Sequence, residues 1–174
     1  LQHQISVVFI CLLLLSIFTI TLINGLFLEK YYVSKKVEVL EEAKEVLSQM
    51  NLDDILQYDT DIEEDKKGAT DEISDEIERS SSRNNLTWII VNEENSGYYY
   101  WGENNMAKML RSKLFGYINN LDQDMQHSHV LKKTDTCTMW QVHDRFAGME
   151  YVECWGQFDN GYYFLIRSPL ESIK

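Results

Sequence analysis

The stretch that most constrains this chain runs from Ile5 to Leu28, ISVVFICLLLLSIFTITLINGLFL, and carries no charged residue. A run of about 20 apolar residues matches the length an α-helix needs to cross a hydrocarbon core of about 30 Å. Within lipid the backbone must satisfy its own N–H and C=O groups, which leaves a helix as the only form for a single segment. Ser16, Thr19 and Thr21 are compatible with that, because a hydroxyl can bond back to the preceding helical turn. A cleaved signal peptide has a shorter apolar region ending at small residues. Here Glu29-Lys30-Tyr31-Tyr32 comes next instead, so an uncleaved anchor over residues 1–28 is expected. Lys30, Lys35 and Lys36, counted alone, favour a cytoplasmic side for the C-terminal part of the chain, but the count on the other flank is missing because the sequence opens at Leu1.

Beyond the anchor, Val33, Val37, Leu40, Ala43, Leu47 and Met50 recur at spacings of three and four. That periodicity predicts an amphipathic helix over residues 29–57. With the anchor it makes a rod of about 45 residues, suited to a dimer stalk or to transmitting displacement. Asp53 to Glu78 then holds 12 acidic residues against Lys66 and Lys67. Its first half, around Asp59–Thr70, reads as an exposed loop. Its second half, with Ile73 and Ile77 one turn apart, reads as a short helix ending near Ser80-Ser81-Ser82.

From Leu86 the period changes. Leu86–Val91 and Tyr98–Trp101 predict a hairpin across Asn92–Gly97. Asn104 or Asn105 can cap a helix through Leu121, with Met106, Met109, Leu110, Leu114, Tyr117, Ile118 and Leu121 on its apolar side. Strands are expected near Thr136–His143, Glu150–Phe158 and Tyr162–Arg167, with turns at Gly148 and Asp159-Asn160-Gly161. His129–Lys133 is either a further strand or a lead-in. This order predicts an α+β domain, an antiparallel sheet of about five strands with helices on one face. Short turns exclude a parallel sheet, and no glycine-rich phosphate loop exists.

The chain has 28 acidic and 16 basic residues and a net charge of −12, which argues against nucleic acid as a partner. Three cysteines exclude a disulfide scaffold. The acidic stretch, with Asp59, Asp61 and Glu63, either faces anionic lipid and takes up divalent cations or cationic peptides, or is a solvated surface. It is no EF-hand loop, since Glu64 stands where glycine is needed and Thr70 where glutamate is needed. Asp122, Asp124, His127 and His129 supply oxygen and imidazole donors for a metal, or are polar loop residues. Cys137 and Cys154 fall on neighbouring strands. If the hairpin centres near Arg145–Phe146, they face each other and can form a disulfide; otherwise they are two buried thiols. Trp101, Arg111, Trp140, His143, Arg145 and Trp155 offer aromatic walls and cationic groups for a small carboxylate or amine, although at most half can share one face.

Several segments resemble one family: Tyr31–Lys36 (YYVSKK) after a membrane helix, Arg79–Asn85 (RSSSRNN) leading into Thr87–Asn92 (TWIIVN), and the closing Asn160–Lys174 (NGYYFLIRSPLESIK). Together they look like the extracytoplasmic PAS-like (Cache-type) sensor region of bacterial membrane sensor histidine kinases. The resemblance implies a sensor domain over residues 58–168, outside the cytoplasmic membrane, and an exit segment at 169–174 toward a second membrane helix. It also implies a homodimer, an unknown small-molecule, cation or peptide stimulus, and a cytoplasmic kinase acting on a response regulator. No phosphoacceptor box or ATP lid occurs here, so no catalysis and no cofactor are expected of this segment, a divalent cation as signal aside. A chemoreceptor, a cyclic-dinucleotide enzyme and a single-pass binding protein are the alternatives, distinguished by the output domain, if any, beyond Lys174.

Overall fold

The computed structural model describes residues 2–50, 57–58, 72–92, 97–102, 106–121, 125 and 128–170. Helix α1 spans Gln2–Ser48 and belongs to two compact units, residues 1–35 and 36–174. In the first unit the described large apolar side chains from Val7 to Leu28 are exposed, and Thr19 and Thr21 donate their hydroxyls to Leu15 O and Ile17 O at 2.8 and 2.9 Å. That length and composition suit a membrane span, and suit a signal sequence equally.

The second unit is an α+β fold. Its antiparallel sheet has strands β1 (Gln57–Tyr58), β2 (Thr87–Val91), β3 (Gly97–Trp101), β4 (His129–Lys133), β5 (Cys137–Asp144), β6 (Met149–Gln157) and β7 (Tyr163–Pro169). They lie in the order β1-β3-β2-β7-β6-β5-β4. Six are full strands and β1 is a two-residue edge. Helices α2 (Glu72–Asn84) and α3 (Ala107–Ile118) complete it.

The expected helix over 29–57 ends early. Leu40, Ala43, Leu47 and Met50 of the anticipated stripe are buried, but the helix closes at Ser48, and Gln57 and Tyr58 pair with Tyr98 and Gly97. Sheet-edge hydrogen bonds claim them instead. Helix α2 runs through the serines rather than stopping at them, because Ser81 Oγ accepts the Trp88 Nε1 hydrogen at 2.9 Å in the core. Helices α2 and α3 end alike. Asn85 and Asn120 take left-handed φ of 54° and 55°, and the following Leu86 and Leu121 N–H groups reach back to Ser81 O and Gly116 O at 2.9 and 2.8 Å. This is the Schellman closure, with asparagine in the place glycine usually takes. The expected caps Asn104 and Asn105 lie outside the described residues; Met106 holds the N-cap position with no side-chain cap. Leu121 lies past the helix and is exposed.

Helices cover both faces of the sheet, not one. Trp88, Ile90, Met139, Val152, Cys154, Phe164 and Ile166 pack with Leu40, Ala43, Leu47 and Ile77. The opposite face buries Ile89, Val91, Trp140, Val142, Tyr151 and Leu165 beneath Leu110, Leu114 and Tyr117 of α3. The physical reason lies in the sequence of β2. TWIIV is apolar without alternation, and such a strand is stable only when both of its faces are covered.

Candidate functional site

Alternation along three central strands sends Trp140, Val142 and Asp144 of β5, Tyr151, Glu153 and Trp155 of β6, and Leu165 and Arg167 of β7 to the α3 face. Lys113 and Tyr117, one turn apart on α3, meet them. Asp144 Oδ2 lies 3.2 Å from Lys113 Nζ and 2.8 Å from Arg167 Nη1. Lys113 also pairs with Glu153 Oε1 at 3.0 Å, and Tyr117 donates its hydroxyl to Glu153 Oε2 at 2.6 Å. Asp144 Oδ1 accepts from the Phe146 and Ala147 N–H groups at 2.9 and 3.0 Å. Arg167 lies over the Tyr151 ring at 4.3 Å. Two cations and two anions are thus buried together with no net charge. A buried charge stripped of partners is costly, so each member holds the others in place.

The titration of the group reflects this packing. Burial alone would raise the Asp144 carboxyl, but the Ala147 N–H, Lys113 and Arg167 outweigh it and hold the carboxyl below its ordinary value. Burial alone would lower Lys113, but Glu153 and Asp144 keep its ammonium above the usual range. Burial pushes the Tyr151 hydroxyl up, with Asp144 and Glu153 adding to the rise.

Beside the charges stands an aromatic cluster. Tyr117 meets Trp140 edge-on at 4.6 Å between centroids, and Trp155 lies 5.7 Å from each. Among the described residues neither indole N–H has a hydrogen-bond partner. Trp140, Trp155, Tyr163, Ile118 and Met125 line a cleft of about 730 Å³, to which Lys133, Asp135 and Asp159 add charge.

On the α1 face Cys137 and Cys154 are both free thiols. They do not face each other: Cys137 pairs with Gly156, and Cys154 with Met139. The hairpin centres between Phe146 and Ala147, one residue beyond the expected point. Asp144 fixes that four-residue turn, and Gly148, at a φ of 66°, closes it. The two cysteines are therefore diagonal neighbours on one face.

The six residues anticipated for a small ligand do not converge. Trp140 and Trp155 share the cleft. Arg111 lies on the same side, over the Tyr98 ring at 5.7 Å. Trp101 packs on the α1 face. His143 is exposed, bonded through Nδ1 to Glu150 at 3.1 Å, and Arg145 is exposed in the hairpin turn. Of the anticipated metal donors, His129 is exposed on β4. Asp59, Asp61, Glu63, Asp122, Asp124 and His127 lie outside the described residues, and among the described residues no three His, Cys, Asp or Glu side chains cluster. Sequence reasoning missed Lys113, Asp144, Glu153 and the buried role of Arg167. The available signal was a lone charge inside a strand that is otherwise apolar, as in YVECW and YFLIRSP. No family model, curated protein or solved structure matches this chain.

Proposed function

We propose that this chain is the extracytoplasmic sensing region of a bacterial two-component sensor histidine kinase, anchored by residues 5–28 and dimeric through the adjoining helix. One observation carries the reading. Lys36 Nζ of α1 donates to Ser168 Oγ of β7 at 2.7 Å and to Asn84 O at 3.4 Å, so the helix leading into the domain and the strand leading out of it are tied side by side. Arg167, the neighbour of Ser168, points to the other face of the sheet and into the charge network. A stimulus in the cleft against Trp140 and Trp155 would then bias β7 through Glu153, Lys113, Asp144 and Arg167. Signalling would be a shift between two packings with different affinities for that stimulus.

Autophosphorylation of the full-length protein in membrane vesicles tests this. Phosphate from ATP should appear on a histidine beyond residue 174, and Lys36→Met should change steady-state labelling about fivefold or more, the lower range of inter-site coupling. Asp159→Cys in the exposed turn should react with an impermeant maleimide on intact cells. Labelling of that position only after lysis, or no phosphohistidine in the full-length protein, sinks the proposal.

A further inference from the structure

We propose that Cys137 and Cys154 form a reversible, hydroperoxide-reactive thiol pair, with Cys137 as the attacking sulfur and Cys154 as the resolving one. Four observations meet at this place. The two residues are diagonal neighbours on one face of the sheet, Cys137 paired with Gly156 and Cys154 with Met139. Cys137 Sγ has polar company: Thr134 Oγ1 at 3.2 Å and Lys44 Nζ at 4.0 Å. Cys137 is 5% exposed and is among the residues bordering the cleft, whereas Cys154 is fully buried. Lastly, Gly156 opposite Cys137 allows an unusually close approach of β5 to β6, since a Cβ there would stand 2.1 Å from Thr136 O.

The surroundings divide the labour between the two sulfurs. The Cys154 hydrogen bond, then Thr134 and the Lys44 ammonium, lower the Cys137 thiol to about 5 against the cost of its burial. The hydrogen bond it donates to Cys137, together with burial, pushes Cys154 up. Glu41, one turn before Lys44, works against the lowering of Cys137 and raises its thiol, although it is itself ion-paired to Lys132 of β4. At neutral pH the pair therefore holds one thiolate, on Cys137.

The chemistry balances with a hydroperoxide as the only co-reactant. The Cys137 thiolate attacks the distal peroxide oxygen and the O–O bond breaks. Cys137 becomes a sulfenic acid, and the leaving alkoxide or hydroxide takes up a proton as alcohol or water. The Cys154 sulfur then attacks Cys137, an S–S bond forms, and the sulfenic oxygen leaves as water with the Cys154 proton. In sum, two thiols and ROOH give a disulfide, ROH and water.

Geometry argues for a labile bridge rather than a permanent one. Diagonal cross-strand neighbours stand about 7–8 Å apart between Cα atoms, wider than the 4.4–6.8 Å range of relaxed disulfides. Closing the bond must draw β5 and β6 together, and it removes the charge that Lys44 faces. Both sulfurs pack in the cluster that holds Leu40, Ala43 and Leu47, so oxidation repacks the sheet under α1. That readout through α1 rests on the sensing role proposed above; the sulfur chemistry does not.

The test uses the full chain, reduced, desalted and held in detergent micelles, with hydrogen peroxide as the probe and peptide mapping without reduction. The expected product joins Cys137 to Cys154 and is reopened by dithiothreitol without denaturant. Cys154→Ala should accumulate a dimedone adduct on Cys137, and Cys137→Ala should leave Cys154 unlabelled. Mapping of the wild-type chain decides the matter even where a variant fails to fold. The proposal is overturned if peroxide leaves both thiols free, if the sulfenic acid forms on Cys154, or if the bridge opens only after denaturation. None of these readouts involves a kinase, so failure of the sensing proposal stays separate.

Discussion

Asp144 is where a single substitution should do most damage. Its two oxygens serve Lys113, Arg167 and two backbone amides. Asp144→Asn keeps an acceptor for the amides but leaves Lys113 paired with Glu153 and takes from Arg167 its ion-pair partner. Removing one partner from a buried pair costs about 3–5 kcal/mol. Urea unfolding of the detergent-solubilised chain should show that loss, whereas His143→Gln, which breaks an exposed contact, should stay within about 0.5 kcal/mol. The signs of the shifts set the pH dependence. Asp144 lies below its ordinary 3.8 in the fold, so its contribution is present above that value and lost as pH falls through the lower folded one. Lys113 lies above 10.5, so its contribution is present below that value and lost as pH rises through the higher folded one. Between about pH 4 and 10 the network should contribute a flat plateau to stability. Cys137 should behave differently from an ordinary cysteine. With its thiol at about 5, its alkylation by iodoacetamide should change little from pH 8 to 6, whereas an ordinary thiol loses about tenfold per unit below about 8.5. A tenfold fall per unit at Cys137 across that range would remove the thiolate assignment. The aromatic half of this site is legible from alternation alone, since it places Trp140 and Val142 on one face together. The charged half is not, because charged residues are almost never fully buried unless paired. Pairing depends on Lys113 arriving from a helix whose expected apolar side does not include it.

Elements show the same division. Strands β2, β3, β5, β6 and β7 fall within a residue or two of their expected bounds, because strand periodicity and turn residues are local signals. What escapes a reading of the sequence are contacts between distant segments: the pairing of Gln57–Tyr58 with β3, and α3 on the face opposite α1. The hairpin centre lies one residue from its expected place, which moves Cys154 from opposite Cys137 to opposite Met139. A four-residue turn stabilised by Asp144 cannot be told from a neighbouring one by composition. Gly156 sits close against β5, and Gly156→Ala puts a methyl against Thr136 O and the Cys137 backbone. Crowding of this kind costs about 1–3 kcal/mol. Thermal unfolding should show it, and a variant as stable as the parent would mean that the strands separate freely here. Asn120→Gly should be neutral or slightly stabilising, because its φ of 55° is one that glycine adopts without strain. Asn120→Val should cost about 1–2 kcal/mol.

At the scale of residues 36–174 the first helical turns and the last strand are joined by a few polar bonds as well as by apolar packing. Lys36 reaches both Ser168 Oγ and Asn84 O, and Ser168 Oγ itself donates to Asn84 O at 3.2 Å. One ammonium therefore ties α1, the end of α2 and β7 at a single point. Further along α1, Leu40, Ala43 and Leu47 are held by hydrophobic burial, which does not fix direction. The polar tie supplies the direction, and its loss should loosen the start of the docked helix before anything else. Lys36→Met should speed amide exchange over residues 36–44 while leaving the amides of β6 and β7 near their original rates, since the Asp144 network keeps those strands closed. Ser168→Ala should have a smaller effect, because Lys36 retains Asn84 O. Local opening confined to the ends of one element is what low-stability units show in native exchange. Mass-spectrometric exchange on the full chain separates the cases. Uniform acceleration across the sheet would mean that Lys36 contributes only to global stability, and no change at all would mean that the tie is absent in solution. Acceleration limited to the first turns of the docked helix would locate a joint between α1 and β7.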